Sequence, residues 1–593
     1  MTKDQPSDLN PLRHTAAHLL AAAVLELYPD AKPTIGPPIE RGFYYDFDFG
    51  NTKISDDDLP KIEKKMQELL TTWDDMTGEK VSAAEARKHF ASNPFKLELI
   101  GEIETAKGDI TLYTAGAARP SEASGEGGFT DLCRGGHLER PRKEMKSNGF
   151  KLLSIAGAYW RGDEKNPMLT RIYGTAFPNK AELDAELARL EEAKKRDHKI
   201  LGPALDLFTF SPLVGPGLPL WTPRGTLVRN LLDEYVWKLR KARGYDQVDI
   251  PHITKKELFE TSGHWEKFSD ELFRITTREG HEFAIKPMNC PFHTQIFARK
   301  QWSYREMPQR YANTTKVYRD EQTGELAGLS RVRAITQDDA HVFCRPSQVK
   351  EEFLKIWDIV DTFYAAVGFT DLTVTISGHD PENADAYLGD KKLWKDAEAQ
   401  LREIAKERKV AAEFVQGEAA FYGPKIDFIA KDSLDRKWQV ATIQLDMNMP
   451  ERFDLFCIDE NGEKEQVVMI HAAIMGSIER FLSVLIEHTA GDFPVWIAPV
   501  QVALIPVSEK HLAKAEGIAT TLRESGVRVE ISQPTESLGK RIREAELLKV
   551  PYMAVVGDKE GENEVAVRQR GVEEQRVLSL EALANEINAV TPR

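Results

Sequence analysis

The chain has 593 residues, of which 41% are hydrophobic and 29% charged, with four cysteines and a net charge of −15. That length accommodates about three to five domains with ordinary globular cores. The composition excludes a disulfide-built scaffold, no apolar run approaches the ~18–20 residues that span a bilayer, and the acidic balance argues against a general nucleic-acid binder while allowing a local basic groove. Four cysteines in so long a chain build no disulfide framework, so a reducing cytoplasm is expected, and MTKDQPSDLNPLRH lacks the apolar core of a secretory signal.

In chain order, HTAAHLL predicts a helix with His14 and His18 on one face. Residues 1–178 then mix helix and strand patterns up to TDLCRGGH, which carries Asp131, Cys133 and His137. An HxxxH spacing alone means little; joined to CxxxH it becomes a candidate site. Residues 180–200 read as a charged helix with Leu183, Leu187 and Leu190 on one side, a surface element or connector.

A large unit is expected from Leu201 to Asp492. Its first helix places Leu227, Leu231, Tyr235 and Leu239 on a stripe suited to a core or a dimer interface, and ends near Gly244. Two strand-like runs, 311–320 and 331–343, flank a turn at Thr323-Gly324. Alternation along the second run puts Arg333, Ile335, Gln337, Asp339 and His341 on one face, with Arg319, Glu321 and Arg331 beside the turn. A face of arginines, acids and a histidine makes a poor core. It suits a nucleotide, a metal and a small polar substrate. In residues 467–488 a strand runs into a helix with Gly476 and Arg480 one turn apart, so the arginine can reach past a residue that has no side chain. After Pro494 and Pro499 a βαβα rhythm predicts a compact α/β domain, with Lys540, Arg541 and Arg543 at a helix start as phosphate contacts.

The helix-and-proline segment, the Arg319-Asp320-Glu321 pattern with its loop, and GSIER with Arg480 resemble the three signature motifs of class II aminoacyl-tRNA synthetases. KPMNCPFH, QDDAHVF, FYGPKIDF, TIQLDMNMPERF and IHAAIMGSIERF resemble the threonyl-tRNA synthetase family, and the likeness covers nearly the whole chain. It implies an α+β multidomain protein: an N-terminal α+β editing domain (1–178), a linker helix (179–200), a class II antiparallel-sheet catalytic domain (201–493) and an α/β anticodon-binding domain (494–593).

The resemblance further implies a zinc site at Cys290, His341 and His471. Three such ligands leave a coordination position open, as catalytic zinc sites do, and the family implies that the zinc binds the threonine amino and hydroxyl groups directly. Met288, Gln337, Asp339, Tyr422 and Gln444 would line the amino-acid pocket. Arg319 would hold the α-phosphate of ATP and Arg480 the γ-phosphate, with Glu321 on the adenine amino group and Arg331 and Lys425 nearby. Magnesium would enter with the ATP. Bidentate guanidinium–phosphate geometry favours arginine over lysine at these positions.

The reaction implied is attack of the threonine carboxylate on the α-phosphate, then transfer to tRNA(Thr). It rests on positioning and charge stabilisation. A second site, His14, His18, Tyr45, Lys96, Asp131, Cys133 and His137, would hydrolyse seryl-tRNA(Thr). Both a metal-bound and a metal-free pocket fit those residue types, and the bacterial threonyl pattern favours the metal-free one. Glu560 and Arg568 would contact the anticodon, and the family implies a cytoplasmic homodimer with no membrane partner. Bacterial members carry a small ubiquitin-like (TGS) domain before the editing domain. Here HTAAH begins at residue 14, so that domain is expected to be missing.

Overall fold

The computed structural model describes residues 8–116, 128–163, 165–558, 561 and 563–592. The chain divides into two compact units, Met1–Glu192 and Ala193–Arg593. Among the described residues no helix is long and apolar enough to cross a membrane.

In the first unit α1 (Asn10–Leu27) is buried along most of its length, which explains its run of alanines: small side chains let the surrounding elements close in. Around it lie β1 (Gly42–Asp48), α2 (Leu59–Leu70), β2 (Met76–Lys80), α3 (Pro94–Thr105), β3 (Thr111–Ala115), β4 (Phe129–Leu132), β5 (Phe150–Tyr159) and β6 (Met168–Ala176). Strands β1, β6 and β5 pair antiparallel in that order, and β2, β3 and β4 form a second antiparallel sheet. Phe43, Tyr45 and Phe47 of β1 pack with α1 and with Ile62 and Met66 of α2 in one core.

The charged helix is α4 (Lys180–Arg196). It stops at Asp197, whose side chain caps α5 (His198–Ala204), so the predicted single linker helix is two helices. Leu183 is buried, and so is Glu186, which takes Arg41 Nη1 at 2.9 Å.

In the second unit α5 is followed by α6 (Pro223–Lys241), N-capped by Thr222. Its buried face is Val228, Leu232, Tyr235, Val236 and Leu239, with Leu227 and Leu231 only half-buried, so the observed stripe lies slightly around the helix from the predicted one. There follow β7 (Asp246–Gln247), α7 (Cys290–Phe297), β8 (Gln309–Tyr318), β9 (Ala334–Cys344), α8 (Val349–Ala366), β10 (Leu372–Gly378), β11 (Glu413–Gln416), β12 (Lys425–Lys431), β13 (Lys437–Asp446), β14 (Val468–Ser477) and α9 (Ile478–Thr489).

The strands form one eight-stranded sheet in the order β7-β8-β9-β14-β13-β12-β10-β11. Only the two edge pairings, β7 with β8 and β10 with β11, are parallel. Its core packs α6, α8 and α9 around Val342, Ile426, Phe428, Ile443 and Ile470.

The last segment is β15 (Val502–Pro506), α10 (Leu512–Glu524), β16 (Val529–Ile531), α11 (Leu538–Leu547), β17 (Tyr552–Val556), β18 (Glu564–Gln569), β19 (Gln575–Ser579) and α12 (Leu580–Ala589). The sheet order is β16-β15-β17-β18-β19, parallel through β17 and antiparallel beyond it. It has a core of its own around Leu504, Leu522, Ala554 and Ile587.

Candidate functional site

Register in the large sheet assembles the first site. His341 of β9 stands opposite His471 of β14, which stands opposite Gln444 of β13, which stands opposite Lys425 of β12. Directly opposed residues share a face, so four positions far apart in sequence make one row. Cys290, at the start of α7, completes it: the ligand atoms of Cys290, His341 and His471 all lie within 4.8 Å of one another and all three residues are buried.

His341 Nε2 and His471 Nδ1 are 3.1 Å apart. This is close to the edge of a tetrahedron with bonds of 2.0–2.1 Å, about 3.3 Å. The far nitrogens are engaged: His471 Nε2 lies 2.9 Å from Asp446 Oδ2, and His341 Nδ1 lies 2.7 Å from His293 Nδ1. Asp446 is itself held by the backbone N–H groups of Asn448 and Met449. Outer partners of this kind fix ring orientation around a metal. Burial pushes His341 well below the usual imidazole range, keeping it in the neutral form that binds metals, and pushes the Cys290 thiol well up. A thiol so buried loses its proton only beside a cation. The donor set, spacing and outer partners fit zinc.

Around this cluster, Tyr422 stacks on His471 with ring centroids 4.7 Å apart and donates its hydroxyl to Gln444 Oε1 at 2.5 Å. Asn289 Nδ2 donates to Asp339 Oδ2 at 3.0 Å, and Met288 Sδ lies 3.1 Å from His264 Nε2.

A cavity of about 500 Å³ opens farther along the same strands. Arg319, Glu321, Ser330, Arg331, Gln337, Gly476 and Arg480 line it, so all four expected nucleotide contacts share one hollow. Glu321 Oε2 accepts from Arg331 Nε at 2.6 Å, and Arg319 leans on Glu271 at 3.7 Å. Gly476 has φ +64°, a conformation that side chains rarely adopt, and leaves the space before Arg480 open. Arg480 keeps solvent exposure at the cavity mouth, and its guanidinium is lowered by the desolvation of its surroundings. Lys425 lies outside this lining. It pairs with Asp427 at 3.0 Å in an adjoining hollow of about 580 Å³, and Gln439 borders both hollows. Arg333 stands just before β9 and is not among the lining residues; its Nε donates to the Glu321 carbonyl at 2.9 Å.

Sequence reasoning missed His264, His293, Asn289 and Asp446. Asn289 and His293 sit inside KPMNCPFH and Asp446 inside TIQLDMNMP, so those motifs held a signal. His264 stands alone in sequence and had none.

The second site lies wholly in the first unit, and all seven residues singled out come together. His14, His18, Cys133 and His137 offer ligand atoms within 4.8 Å of one another. Cys133 Sγ is 3.4 Å from His14 Nε2 and 3.6 Å from His137 Nε2. Buried Asp131 accepts from Tyr45 OH at 2.5 Å and is ion-paired with fully buried Lys96, which also reaches Tyr45 OH at 3.3 Å. Burial drives His18 well below its ordinary range and His137 down to about 2, so these imidazoles are neutral. Gly135, at φ +100°, lets the loop after β4 fold back; a Cβ there would meet Tyr113 OH at 2.5 Å.

In the third region Arg568 is exposed on β18 and pairs with Glu546 at 3.2 Å, while Glu560 lies outside the described residues. Arg541 is buried and its guanidinium donates to the carbonyls of Glu536 and Ser532. Of the three basic residues at that helix start, it is therefore committed to the fold, and Lys540 and Arg543 are exposed.

Residues 273–489 match the family model for the tRNA synthetase class II core domain (G, H, P, S and T), and residues 501–589 match the anticodon binding domain. The threonine–tRNA ligase of Porphyromonas gingivalis is 48% identical over 577 residues, covering 96% of this chain and 86% of its own. That of Rubrobacter xylanophilus is 46% identical over 574 residues, covering 96% and 87%. The RNA binding domain of threonyl-tRNA synthetase from Cryptosporidium parvum Iowa II superposes with a TM-score of 0.64 at 35% identity, covering 67% of this chain and 99% of that one.

Proposed function

The chain belongs to the threonine–tRNA ligases, enzymes with a class II core, and from that premise we propose two chemistries at two sites. The first activates L-threonine with ATP and loads it onto tRNA(Thr). The observation that carries it is the row of buried His341 and His471 with half-buried Gln444, joined by buried Cys290, next to a cavity lined by Arg319, Arg331 and Arg480.

Arg319 and Arg480 bind and neutralise the triphosphate, which enters with magnesium, and Glu321 exchanges Arg331 for the adenine amino group. Lys425, at the end of the row, pairs with Asp427 in the adjoining hollow and so is left without a direct role in the reacting groups. Cys290, His341 and His471 would hold a zinc ion, which when bound supplies a Lewis-acidic position for the substrate amino and hydroxyl groups. Asp339, oriented by Asn289, accepts from the threonine hydroxyl, and Tyr422, Gln444 and Met288 close the pocket. The carboxylate then attacks the α-phosphate and pyrophosphate leaves. The work of the protein is alignment and charge stabilisation.

The second chemistry follows from selectivity. Valine lacks the hydroxyl and is rejected by a polar site. Serine differs from threonine by one methyl, worth only about 1–3 kcal/mol. Hydrolysis of seryl-tRNA(Thr) in the first unit corrects the error. Asp131, the carboxylate beside the His14, His18, Cys133 and His137 cluster, is already taken by Lys96 and Tyr45, which supports a metal-free pocket. This reading assigns residues 1–178 to editing, 201–493 to synthesis and 494–593 to anticodon binding through Arg568. It also has the α6 region joining two copies in the cytoplasm.

ATP–pyrophosphate exchange with each amino acid tests the first site: threonine-dependent exchange is expected, and exchange on another amino acid with none on threonine overturns it. Metal analysis should find one zinc per chain and none in Cys290→Ser. A second zinc that survives Cys290→Ser would overturn the metal-free reading of the editing pocket.

A further inference from the structure

His198 stands just after the break between α4 and α5, far in sequence from every motif above, yet it is 4% exposed and both ring nitrogens are committed. Nδ1 donates to Glu487 Oε1 of α9 at 2.6 Å, and the His198 backbone N–H reaches the same oxygen at 3.2 Å. Glu487 Oε2 is in turn held by Arg436 at 2.5 Å. With Nδ1 donating, Nε2 is a lone-pair acceptor, and it takes the backbone N–H of Leu329 at 3.0 Å. Asp197, His198 and Glu487 are close enough to suggest a metal cluster, but an imidazole with both nitrogens hydrogen-bonded has none to give.

Leu329 is fully buried, and the next two residues, Ser330 and Arg331, line the arginine cavity. Ser330 Oγ also meets Ser483 Oγ of α9 at 2.9 Å. Gly328 shows how tightly the ring is seated: its φ is +57°, and a Cβ built there would lie 2.3 Å from His198 Nε2. The imidazole therefore clamps the returning limb of the β8–β9 loop onto α9, the helix that carries Arg480.

We infer that His198 is a positioning residue for the nucleotide, fixing Leu329 so that Ser330 and Arg331 face ATP. The inference rests on the reading of the cavity as the ATP site. Asparagine can keep a donor where Nδ1 stood and cannot reach Leu329. Glutamine places an acceptor near the position of Nε2 and so can restore that bond. In ATP–pyrophosphate exchange, His198→Asn should raise the KM for ATP about tenfold, the order expected for one lost buried hydrogen bond, and leave the KM for threonine and the zinc content unchanged. His198→Gln should bring the KM for ATP back to within about threefold of wild type, since one hydrogen bond is restored.

Gly328→Ala pushes on the same ring from the other side. It should raise the KM for ATP selectively, and it serves as the reading if His198→Asn does not fold. An unchanged KM for ATP in His198→Asn or Gly328→Ala overturns the role, as does a His198→Gln variant no better than His198→Asn. Equal losses for ATP and threonine also overturn it, since they would mark a general structural part. Failure of the underlying reading looks different: Arg331→Ala would then leave the KM for ATP untouched.

Discussion

Asp446 is invisible to any substrate, yet it decides which nitrogen of His471 is free. By accepting from Nε2 at 2.9 Å it leaves the Nδ1 lone pair turned toward His341 and Cys290. Asp446→Asn keeps the shape and loses the charge. Zinc affinity should fall about 10–100-fold, as for other outer-shell partners, measured by competition with a chelator. An unchanged affinity would remove Asp446 from the site. Lys286 makes a different point. It is 0% exposed, its Nζ donates to Thr315 Oγ1 at 3.1 Å, and burial pushes it down to about 8 from 10.5. Between those values the folded state binds fewer protons than the unfolded chain. The stability contribution of this group therefore rises with pH through that window and is lowest below it. Lys286→Met should raise the thermal midpoint by a few degrees at pH 7 and by less at pH 10. Equal gains at both pH values would refute the buried-charge account.

At the scale of elements, α6 ties the sheet together through polar side chains. Arg229 donates to Thr336 Oγ1 at 2.7 Å, Asp233 accepts from Thr314 at 2.5 Å, and Arg240 meets Asp338 Oδ2 at 3.1 Å. Asp338 also accepts from the backbone N–H groups of Ile474 and Met475, each at 2.9 Å, so one buried carboxylate joins α6, β9 and β14. Removing one partner of such a pair leaves an uncompensated charge. Arg240→Met should cost roughly 3–5 kcal/mol in denaturant unfolding. A loss below about 1 kcal/mol, the size of an exposed pair, would mean that the site is solvated. Periodicity located α6 and its apolar side in the sequence. Its polar contacts were not legible, because each partner lies on a strand some 80 to 110 residues away.

At the scale of the molecule, the two candidate sites lie in separate units, each with its own core. Damage to one should therefore spare the chemistry of the other. His137→Ala is expected to accumulate seryl-tRNA(Thr) while threonine-dependent exchange stays within about twofold of wild type, as for independent sites. Correct products from this variant would end the editing assignment. In the C-terminal domain, Arg568 remains an exposed candidate for RNA.

The amino-acid sequence by itself determined the motifs, the strand–loop–strand around Thr323, the α/β rhythm at the C-terminus, and the residue types of both sites. Side-chain chemistry and periodicity are local properties, carried by neighbours a few positions apart. Only the tertiary structure decided which of those residues meet. The register of β9, β14, β13 and β12 sets His341, His471, Gln444 and Lys425 in one row, yet leaves Lys425 in the adjoining hollow. The burial of Arg541 turned an expected phosphate contact into a brace for its own loop. Long-range pairing also brought in His198, Asp446 and His293. Their ring and carboxylate partners across the sheet lie far away in the chain, and a hydrogen bond across 130 residues is specified by the fold as a whole.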